Sequence, residues 1–165
     1  MTLSFRRTIL SSDVTAVREL VISTGFFEAA PDEIDIAAEL VSKALDRGST
    51  DSGYHFIFAE ENGDVLSYVC FGPIPCTVGS FDLYWLTTHR KAQRRGLARQ
   101  IVGEMFRDLA RIHGRKVFLE TSGRTQYLPT RKFYEACSFV LEARLTDYYA
   151  PGDDCLIYSR GVNDT

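Results

Sequence analysis

Residues 82–103 combine residue types that bind phosphate groups with a spacing that would present them together. The segment reads DLYWLTTHRKAQRRGLARQIVG, which predicts a strand, a basic loop and an amphipathic helix. The first N–H groups of a helix have no partner inside it, and the helix dipole places partial positive charge there. Because residues 93–98 fall at this junction, we predict that their backbone binds phosphate.

The side chains of this loop support the same chemistry. Gly96 allows a positive φ or close approach of a ligand, and the guanidinium groups of Arg94, Arg95 and Arg99 match phosphate oxygens. The alternative is a solvated basic turn that only caps the helix. The net charge of −3 argues against nucleic acid, whose binders are usually basic overall, and favours a small anionic ligand.

The rest of the chain predicts one α/β domain over residues 1–165. A length of 165 residues with 45% hydrophobic residues suits a single packed core. The predicted order is β, α, α, β, β, β, α, β, α, β, β. The strand–helix–strand unit around the basic loop implies a parallel pair with a right-handed connection. We therefore expect a mixed central sheet of about seven strands with helices on both faces.

Local signals set the expected boundaries. Residues 5–10 predict the first strand, and Ser11, Ser12 and Asp13 offer N-cap chemistry for a helix that stops at Gly25. A second helix begins at Pro31 and ends near Gly48. Further on, Asn62-Gly63 predicts a hairpin turn, residues 80–88 a strand, and Pro129 the first turn of a short helix.

Composition also sets expectations for location and metals. The N-terminus lacks an apolar signal core, and no run of about 18 apolar residues exists, so we predict a cytoplasmic protein with no membrane contact. The four cysteines, Cys70, Cys76, Cys137 and Cys155, lack metal-ligand spacing, so we predict reduced thiols in or near the core and no metal. An acyl-carrying Cys137 is the alternative.

Two motifs then identify a family. Gln93-x-x-Gly96-x-Ala98 follows a predicted strand, and Phe133-Tyr134-Glu135-x-x-Ser138-Phe139 comes after the next strand and helix. With the order of elements, they resemble the GCN5-related N-acetyltransferase (GNAT) superfamily over most of the chain. The first motif is weak as a bare pattern but fairly specific in a strand–loop–helix context with the second motif downstream.

The resemblance implies transfer of an acetyl group from acetyl-CoA to a primary amine by direct attack on the thioester. It places the CoA pyrophosphate on the 93–98 loop and the pantetheine arm along the preceding strand, where that strand splays from residues 117–120. The implied cofactor-binding residues are Leu86, Thr87, Thr88, Gln93, Arg94, Arg95, Gly96, Leu97, Ala98, Arg99 and Tyr127. Three positions depart from the family pattern: Ser138 replaces a Gly, Tyr127 an Asn that touches CoA, and Thr130 an Ala.

Aminolysis of a thioester needs a neutral amine, and an amine of pKa about 10.4 is neutral in only about one molecule in a thousand at pH 7. A general base is therefore useful. Asp82 is the first candidate, because its place before the loop matches a Glu in the histone-acetylating branch, and Glu120 is its competitor. The alternatives are a strand-end hydrogen-bonding role for Asp82 and no dedicated base. Strand alternation puts Tyr84, Leu86 and Thr88 on the face of Asp82, so Tyr84 is a candidate for acceptor contact.

The departing thiolate needs a proton, and the oxyanion needs a donor. Tyr134 matches the family's usual Tyr, whose phenol can protonate CoA. The alternative role for Tyr134 is a core aromatic residue. A backbone N–H near Leu86 is the candidate oxyanion donor.

Acceptor recognition is expected in two other places. Phe26, Phe27 and Glu28 lie between the first two helices, and Asp153 lies with Asp147 and Asp154 in the last hairpin, where acids would attract a cationic amine or simply form turns. Arg131 and Lys132 read as a solvated helix face or as a phosphate contact.

Two other function classes stay open: a non-catalytic CoA-binding or regulatory module of the same fold, and nucleic-acid binding through residues 90–99. The acidic pI of about 5.6 opposes the second. The expected partner is therefore a small-molecule or peptide amine, with no nucleic acid or membrane, and a homodimer is possible from the resemblance.

Overall fold

A computed structural model describes residues 3–27 and 31–163 of the chain. Its helices and strands are β1 (Leu3–Arg6), α1 (Asp13–Thr24), α2 (Pro31–Ser52), β2 (His55–Glu61), β3 (Asp64–Pro73), β4 (Ser80–Thr88), α3 (Leu97–Arg111), β5 (Lys116–Ser122), α4 (Leu128–Ala136), β6 (Val140–Ala150) and β7 (Asp153–Gly161). Two short 3₁₀ helices, Arg90–Ala92 and Thr125–Tyr127, precede α3 and α4. The order of elements is the predicted one.

The strands form one seven-stranded mixed sheet in the order β1-β2-β3-β4-β5-β7-β6. The pair β4–β5 is parallel, whereas β1–β2, β2–β3, β5–β7 and β6–β7 are antiparallel. The α/β class and the mixed sheet are therefore confirmed. The chain clusters into two compact units, residues 1–72 with 85–108 and residues 73–84 with 109–165, so that β4 supplies residues to each.

The first unit packs α1 and α2 against β2 and β3. Its core is apolar, with Tyr68 and Phe58 fully buried among Val17, Leu20, Val21, Val41 and Phe56. Gly25 ends α1 in the left-handed conformation at φ 73°, as predicted. The hairpin turn of Asn62 and Gly63 has φ of 56° and 87°, which is the geometry that Asn-Gly favours between antiparallel strands.

The start of α1 is held by a partly buried ion cluster. Asp13 is 1% exposed and accepts hydrogen bonds of 2.8 Å from both terminal nitrogens of Arg6 and of 2.7 Å from the Leu10 N–H. Arg6 also donates to Glu60 at 2.8 Å. The bond to Asp13 is the largest cause that raises the pKa of Arg6. Ser12 occupies the N-cap position without a side-chain capping bond, so the structural role falls to Asp13.

Two boundaries differ from expectation. The predicted strand 5–10 is found as Leu3–Arg6, because the Thr8 carbonyl accepts a hydrogen bond from Arg6 and the Leu10 N–H turns to Asp13 instead of a strand partner. Helix α2 runs on to Ser52, although its backbone breaks at Gly48 (φ 78°, ψ 159°), where the helix was predicted to end.

The second unit is built on β5, β6 and β7. Strand β5 pairs with β7 from Lys116–Gly161 to Ser122–Cys155, and β7 pairs with β6 across two irregularities in register. Pro129 lies in the first turn of α4, as predicted. The Tyr158 hydroxyl is hydrogen-bonded to Glu135 at 3.1 Å and thereby ties α4 to β7.

All four cysteines are free thiols, and Cys70, Cys137 and Cys155 are buried. The prediction is wrong for Cys76, which is exposed in the β3–β4 turn at φ 62°. Among residues 3–27 and 31–163, no helix is both long enough and apolar enough to cross a membrane.

Candidate active site

A small apolar cluster of the first unit anchors the two ends of the predicted phosphate loop. Ala92 is fully buried and Leu97 is 3% exposed, and both pack on Leu66 of β3. The His89 N–H donates to the Leu66 carbonyl at 2.9 Å, and His89 Nδ1 accepts from the Lys91 N–H at 3.2 Å. These contacts fix where β4 ends and where α3 begins.

Between these anchors, the 93–98 loop projects from the surface. Arg94 and Gly96 adopt left-handed backbone conformations, with φ of 62° and 79°. A Cβ added at Gly96 would meet only Gln100 Nε2, at 3.9 Å, so the space above the loop is open. The Gln100 N–H bonds to the Gly96 carbonyl at 3.1 Å, while the N–H groups of Leu97 and Ala98 lie in the first turn, where helices lack internal acceptors. The loop thus fits an anion such as a pyrophosphate.

The charged side chains of the loop are exposed. Arg95 forms an ion pair with Glu61 at 2.9 Å, and the side chains of Arg94 and Arg99 are exposed. Gln93 Nε2 lies 3.4 Å from the Thr88 carbonyl. Arg94 is therefore an exposed side chain of this loop whose guanidinium group matches additional phosphate oxygens.

The strand residues before the loop are fixed by a serine that sequence reasoning missed. Ser67 is fully buried on β3, donates to the Thr87 carbonyl at 2.9 Å, and lies 2.8 Å from Thr88 Oγ1. The only hint in the sequence is a hydroxyl residue inside the apolar run VLSYVCF. Ser67 therefore helps to hold in place the backbone that the resemblance assigns to pantetheine.

The second unit brings the two candidate bases to one face of the sheet. The parallel pairing of β4 with β5 joins Ser80 to Lys116, Phe81 to Val117 and Asp82 to Phe118. Glu120 follows Phe118 by two positions and therefore shares its face, which is also the face of Asp82 and Tyr84. We call this surface, defined by Asp82, Tyr84 and Glu120, the carboxylate face.

The environments of the two carboxyl groups differ. Asp82 is half-buried, and this burial, followed by the nearby charge of Glu120, raises its pKa. Glu120 is exposed. Within the described ranges, no lysine, arginine or histidine forms an ion pair with either group.

Tyr149 and Cys155 of the last hairpin lie near Glu120. The sequence alone did not predict that they would be there. The Tyr149 hydroxyl donates to Cys155 Sγ at 3.6 Å. Burial is the main cause that raises the pKa of both groups, and the Glu120 charge adds to it in each case. Only the pairing of β7 with β5 reveals this proximity, because 35 positions of sequence separate Glu120 from Cys155.

Tyr134 is 7% exposed between two aromatic rings. Its ring centroid lies 5.5 Å from that of Phe133 and 5.7 Å from that of Phe139, both in edge-on geometry. Burial raises its pKa, and Cys137 contributes to the same shift. Within the described part of the chain, its hydroxyl has no hydrogen-bond partner. The phenol is therefore neutral near pH 7 and available to donate.

The remaining residues that were predicted to contact the acceptor or the cofactor differ in their exposure and packing. Phe26 is 38% exposed, and Phe27 packs on Trp85 with ring centroids 5.5 Å apart, while Glu28 lies outside the described residues. Tyr127 is partly buried at the end of the second 3₁₀ helix. Lys132 is exposed, as a solvated helix face predicts.

Asp153 and Arg131 hold the loop after β5. Asp153 is 6% exposed, accepts from Ser122 Oγ at 2.5 Å and pairs with Arg124 at 2.8 Å. Arg131 donates to the Ser122 and Arg124 carbonyls at 2.8 and 2.9 Å, which is neither of its two predicted roles. Because these groups are committed to one another, we do not retain Asp153 as an acceptor contact.

No group of three or more His, Cys, Asp or Glu residues in the described ranges is arranged to hold a metal ion.

Comparison with known proteins identifies the family of this chain. A family model described as "Acetyltransferase (GNAT) domain" matches residues 52–141. No curated protein sequence matches the chain. A solved GNAT-family protein from Desulfovibrio desulfuricans is 45% identical over 98% of this chain and 99% of its own, with a TM-score of 0.94.

Two more distant solved structures share the fold alone. The ribosomal-protein-S18-alanine N-acetyltransferase of Escherichia coli is 14% identical, with 99% of this chain and 96% of that chain covered and a TM-score of 0.75. An aminoglycoside 6′-N-acetyltransferase complexed with coenzyme A is 13% identical, with 100% and 99% covered and a TM-score of 0.78. The family model and the Desulfovibrio structure establish that this chain belongs to the GNAT family of N-acetyltransferases.

Proposed function

We propose that the protein, acting as one domain over residues 1–165, transfers an acetyl group from acetyl-CoA to a primary amine. The amine attacks the thioester directly while both substrates are bound. The observation that carries this proposal is the open 93–98 loop, with left-handed Arg94 and Gly96 at the start of α3, in a member of an acetyltransferase family. Coenzyme A in the related aminoglycoside enzyme supports the choice of donor.

The loop and the strand before it would bind the donor. Backbone N–H groups at the start of α3 meet the pyrophosphate, and Arg94 and Arg99 add charge at its edge. The backbone of Leu86, Thr87 and Thr88, held from β3 by Ser67, pairs with the amide groups of pantetheine. A backbone N–H near Leu86 then stabilises the charge that develops on the thioester oxygen.

Asp82 would take the proton that the attacking amine must lose. Its raised pKa brings the carboxylate closer to the pKa of an amine than an ordinary Asp would be, which favours proton transfer. Because the side chain of Asp is shorter than that of Glu, Asp82 would transfer this proton through a water molecule. Glu120 raises the pKa of Asp82 by its charge and so supports this role from the next strand.

Tyr134 would give its proton to the departing CoA sulfur. Burial raises the pKa of this phenol, so it stays protonated near pH 7 and keeps a hydrogen to donate to the thiolate as it forms. The bond between carbon and sulfur breaks as the phenol donates. The products are an acetamide and CoA with a protonated thiol. Asp82 then releases its proton to solvent and the Tyr134 phenolate takes one up, which restores the site.

The acceptor is a small-molecule or peptide amine. Fold relatives named for an aminoglycoside and for an alanine of a ribosomal protein support both sizes of acceptor. Phe26 and Phe27 of the first unit and Tyr84 of the carboxylate face are the proposed acceptor contacts. Cytoplasmic localisation and a homodimer stay predictions from sequence, and gel filtration of the purified protein tests the latter.

Two measurements on the same protein test the function. Acetyl-CoA at a hundred times its dissociation constant stabilises a binding protein by about 2.7 kcal/mol, so we expect a clear rise in melting temperature. Thiol release should then follow the addition of an amine from an acceptor panel. A melting shift without any amine acetylation would point to the non-catalytic CoA-binding module, and no shift at millimolar acetyl-CoA would overturn the proposal.

A further inference from the structure

We propose that strand β6 is a homodimer interface, in which two copies of the chain pair their β6 strands antiparallel about a two-fold axis at Ala143. This inference goes beyond the proposed function and does not depend on it. The observations behind it are an exposed edge of the sheet and a self-complementary sequence along that edge.

Strand β6 forms one edge of the seven-stranded sheet. It comes last in the strand order and pairs with β7 on one side. It has 11 residues, and all of them except Ala143 and Ala150 are exposed. The other edge strand, β1, has four residues, most of which are half-buried. A long exposed edge presents backbone groups to which another strand can pair, whereas a short edge presents few.

The apolar side chains of this edge are exposed as well. The large ones are between 41% and 60% exposed, and they are Val140, Leu141, Leu145, Tyr148 and Tyr149. Exposed apolar groups that are concentrated on one element are typical of an interaction surface. A partner strand along β6 would remove part of this apolar surface from water, which favours association.

The sequence of β6 favours a second copy of the chain as the partner. Residues 141–145 read Leu-Glu-Ala-Arg-Leu. With the two-fold axis at Ala143, Glu142 lies opposite Arg144 of the second copy, and Leu141 lies opposite Leu145. Oppositely charged pairs and apolar pairs stabilise a sheet when they lie directly opposite each other. An axis at Glu142 or at Arg144 would instead place like charges opposite each other, so the charges favour the register at Ala143.

Both charged residues keep atoms that can bind a second partner. Lys116 and Ser159 both bind Oε1 of Glu142, so Oε2 can accept from another cation. Arg144 pairs with Asp154 through Nε, and its side chain is 68% exposed, so its terminal nitrogens can donate to another carboxylate. The pairs between the two copies would therefore add to the ion pairs within each chain.

The backbone of β6 limits the strength of the dimer. Its register with β7 is irregular between Leu141 and Ala143, and again between Leu145 and Ala150. Such irregularities bend a strand and shorten the ladder that a second strand can form. A short edge contact buries less than the standard interface of about 800 Å² per partner. We therefore expect a reversible dimer with a dissociation constant of roughly 10–100 µM.

Sedimentation velocity over about 1–500 µM protein tests the inference. The wild-type protein should change from monomer to dimer over this range. Arg144→Glu places two carboxylates opposite each other, and Glu142→Arg places two guanidinium groups opposite each other, so each should weaken the dimer at least tenfold. Arg18→Glu is the matched control, because it breaks an exposed ion pair with Asp35 outside β6, and it should not change dimerisation. A wild-type protein that stays monomeric throughout would overturn the inference.

The double variant Glu142→Arg/Arg144→Glu separates pairing between copies from contacts within a chain. It restores opposite charges across the two-fold axis, but it places like charges beside Lys116 and Asp154 within each chain. Its dissociation constant should therefore return to within about threefold of the wild-type value, although its melting temperature falls. A folded double variant that dimerises no better than the single variants would overturn the inference.

Leu145→Ser tests the apolar part of the contact in a variant that keeps every ion pair of the chain. Since Leu145 is exposed, the melting temperature should stay close to that of the wild type. The dimer should weaken roughly tenfold, because each dimer loses two leucine contacts. A dimer that persists unchanged in Leu145→Ser and in the two single charge variants uses another surface, and that result would overturn the inference.

Discussion

The 93–98 loop and the carboxylate face are built in opposite ways. The loop is a local structure, since its left-handed Arg94 and Gly96 and its anchors Ala92 and Leu97 lie within a few residues of one another. The carboxylate face is assembled from β4 and β5, and Tyr149 and Cys155 reach it only through the pairing of β7. Substitutions in the loop should therefore act on donor binding, and those on the face should act on proton transfer and the acceptor.

Asp82→Asn should have the largest effect on catalysis. We expect kcat to fall by roughly 10²-fold or more at pH 7 with little change in acetyl-CoA affinity, because the amide cannot accept the proton. Thiol release and melting curves with acetyl-CoA measure the two quantities. A tenfold loss of acetyl-CoA affinity would place Asp82 in donor binding instead.

The pH profile sharpens the same prediction. Burial and Glu120 raise the pKa of Asp82, so log(kcat/KM) should gain an extra downward slope as the pH falls through this raised pKa. Glu120→Gln removes the like charge, and its acid limb should move to lower pH. An unchanged limb in that variant would contradict the coupling.

Tyr134→Phe should lower kcat by about tenfold, because the thiolate then departs without a positioned acid. The ring contacts with Phe133 and Phe139 persist in the variant, so its melting temperature should stay close to that of the wild type. A leaving-group test adds detail, since a thioester with a more acidic thiol should lose less rate. An unchanged kcat would assign Tyr134 to the core alone.

Gly96→Ala changes the 93–98 loop and should therefore act on acetyl-CoA binding. The positive φ of 79° strains any residue with a Cβ, at a cost of about 1 kcal/mol, so acetyl-CoA affinity should fall roughly fivefold. Gly103→Ala is the matched control, because Gly103 lies inside α3 with nothing within 4 Å of an added Cβ. If both variants bind acetyl-CoA like the wild type, the loop conformation does not limit binding.

Ser67→Ala should have the smallest functional effect but a measurable structural one. The variant loses the hydroxyl that bonds to the Thr87 carbonyl inside the first unit, at a cost of about 1 kcal/mol in unfolding free energy. Acetyl-CoA affinity should fall only about twofold, a small change on the same energy scale. Denaturant unfolding checks the first effect, and calorimetry with acetyl-CoA checks the second.

Much of the fold follows from local signals that act over a few residues. Gly25 and Gly48 interrupt their helices where predicted, Asn62-Gly63 turns the hairpin, and β4 spans the expected residues. These signals succeed because a backbone conformation depends mostly on its nearest neighbours in sequence. The first strand is shorter than predicted, because the Arg6 side chain and the Leu10 N–H donate hydrogen bonds to Asp13. Strand propensity takes no account of these hydrogen bonds.

The sequence by itself determined the element order, the basic loop and the family motifs, since each is written in contiguous residues. Tertiary structure decided which polar side chains bind one another through hydrogen bonds and ion pairs, and which are left to bind a ligand. It commits Asp153 to Ser122 and Arg124, fixes β4 through Ser67, and leaves Asp82 and Glu120 together without a basic partner in the described ranges. The physical reason is that strand register sets contacts between distant residues, and a carboxylate keeps its charge for a substrate only where no such contact neutralises it.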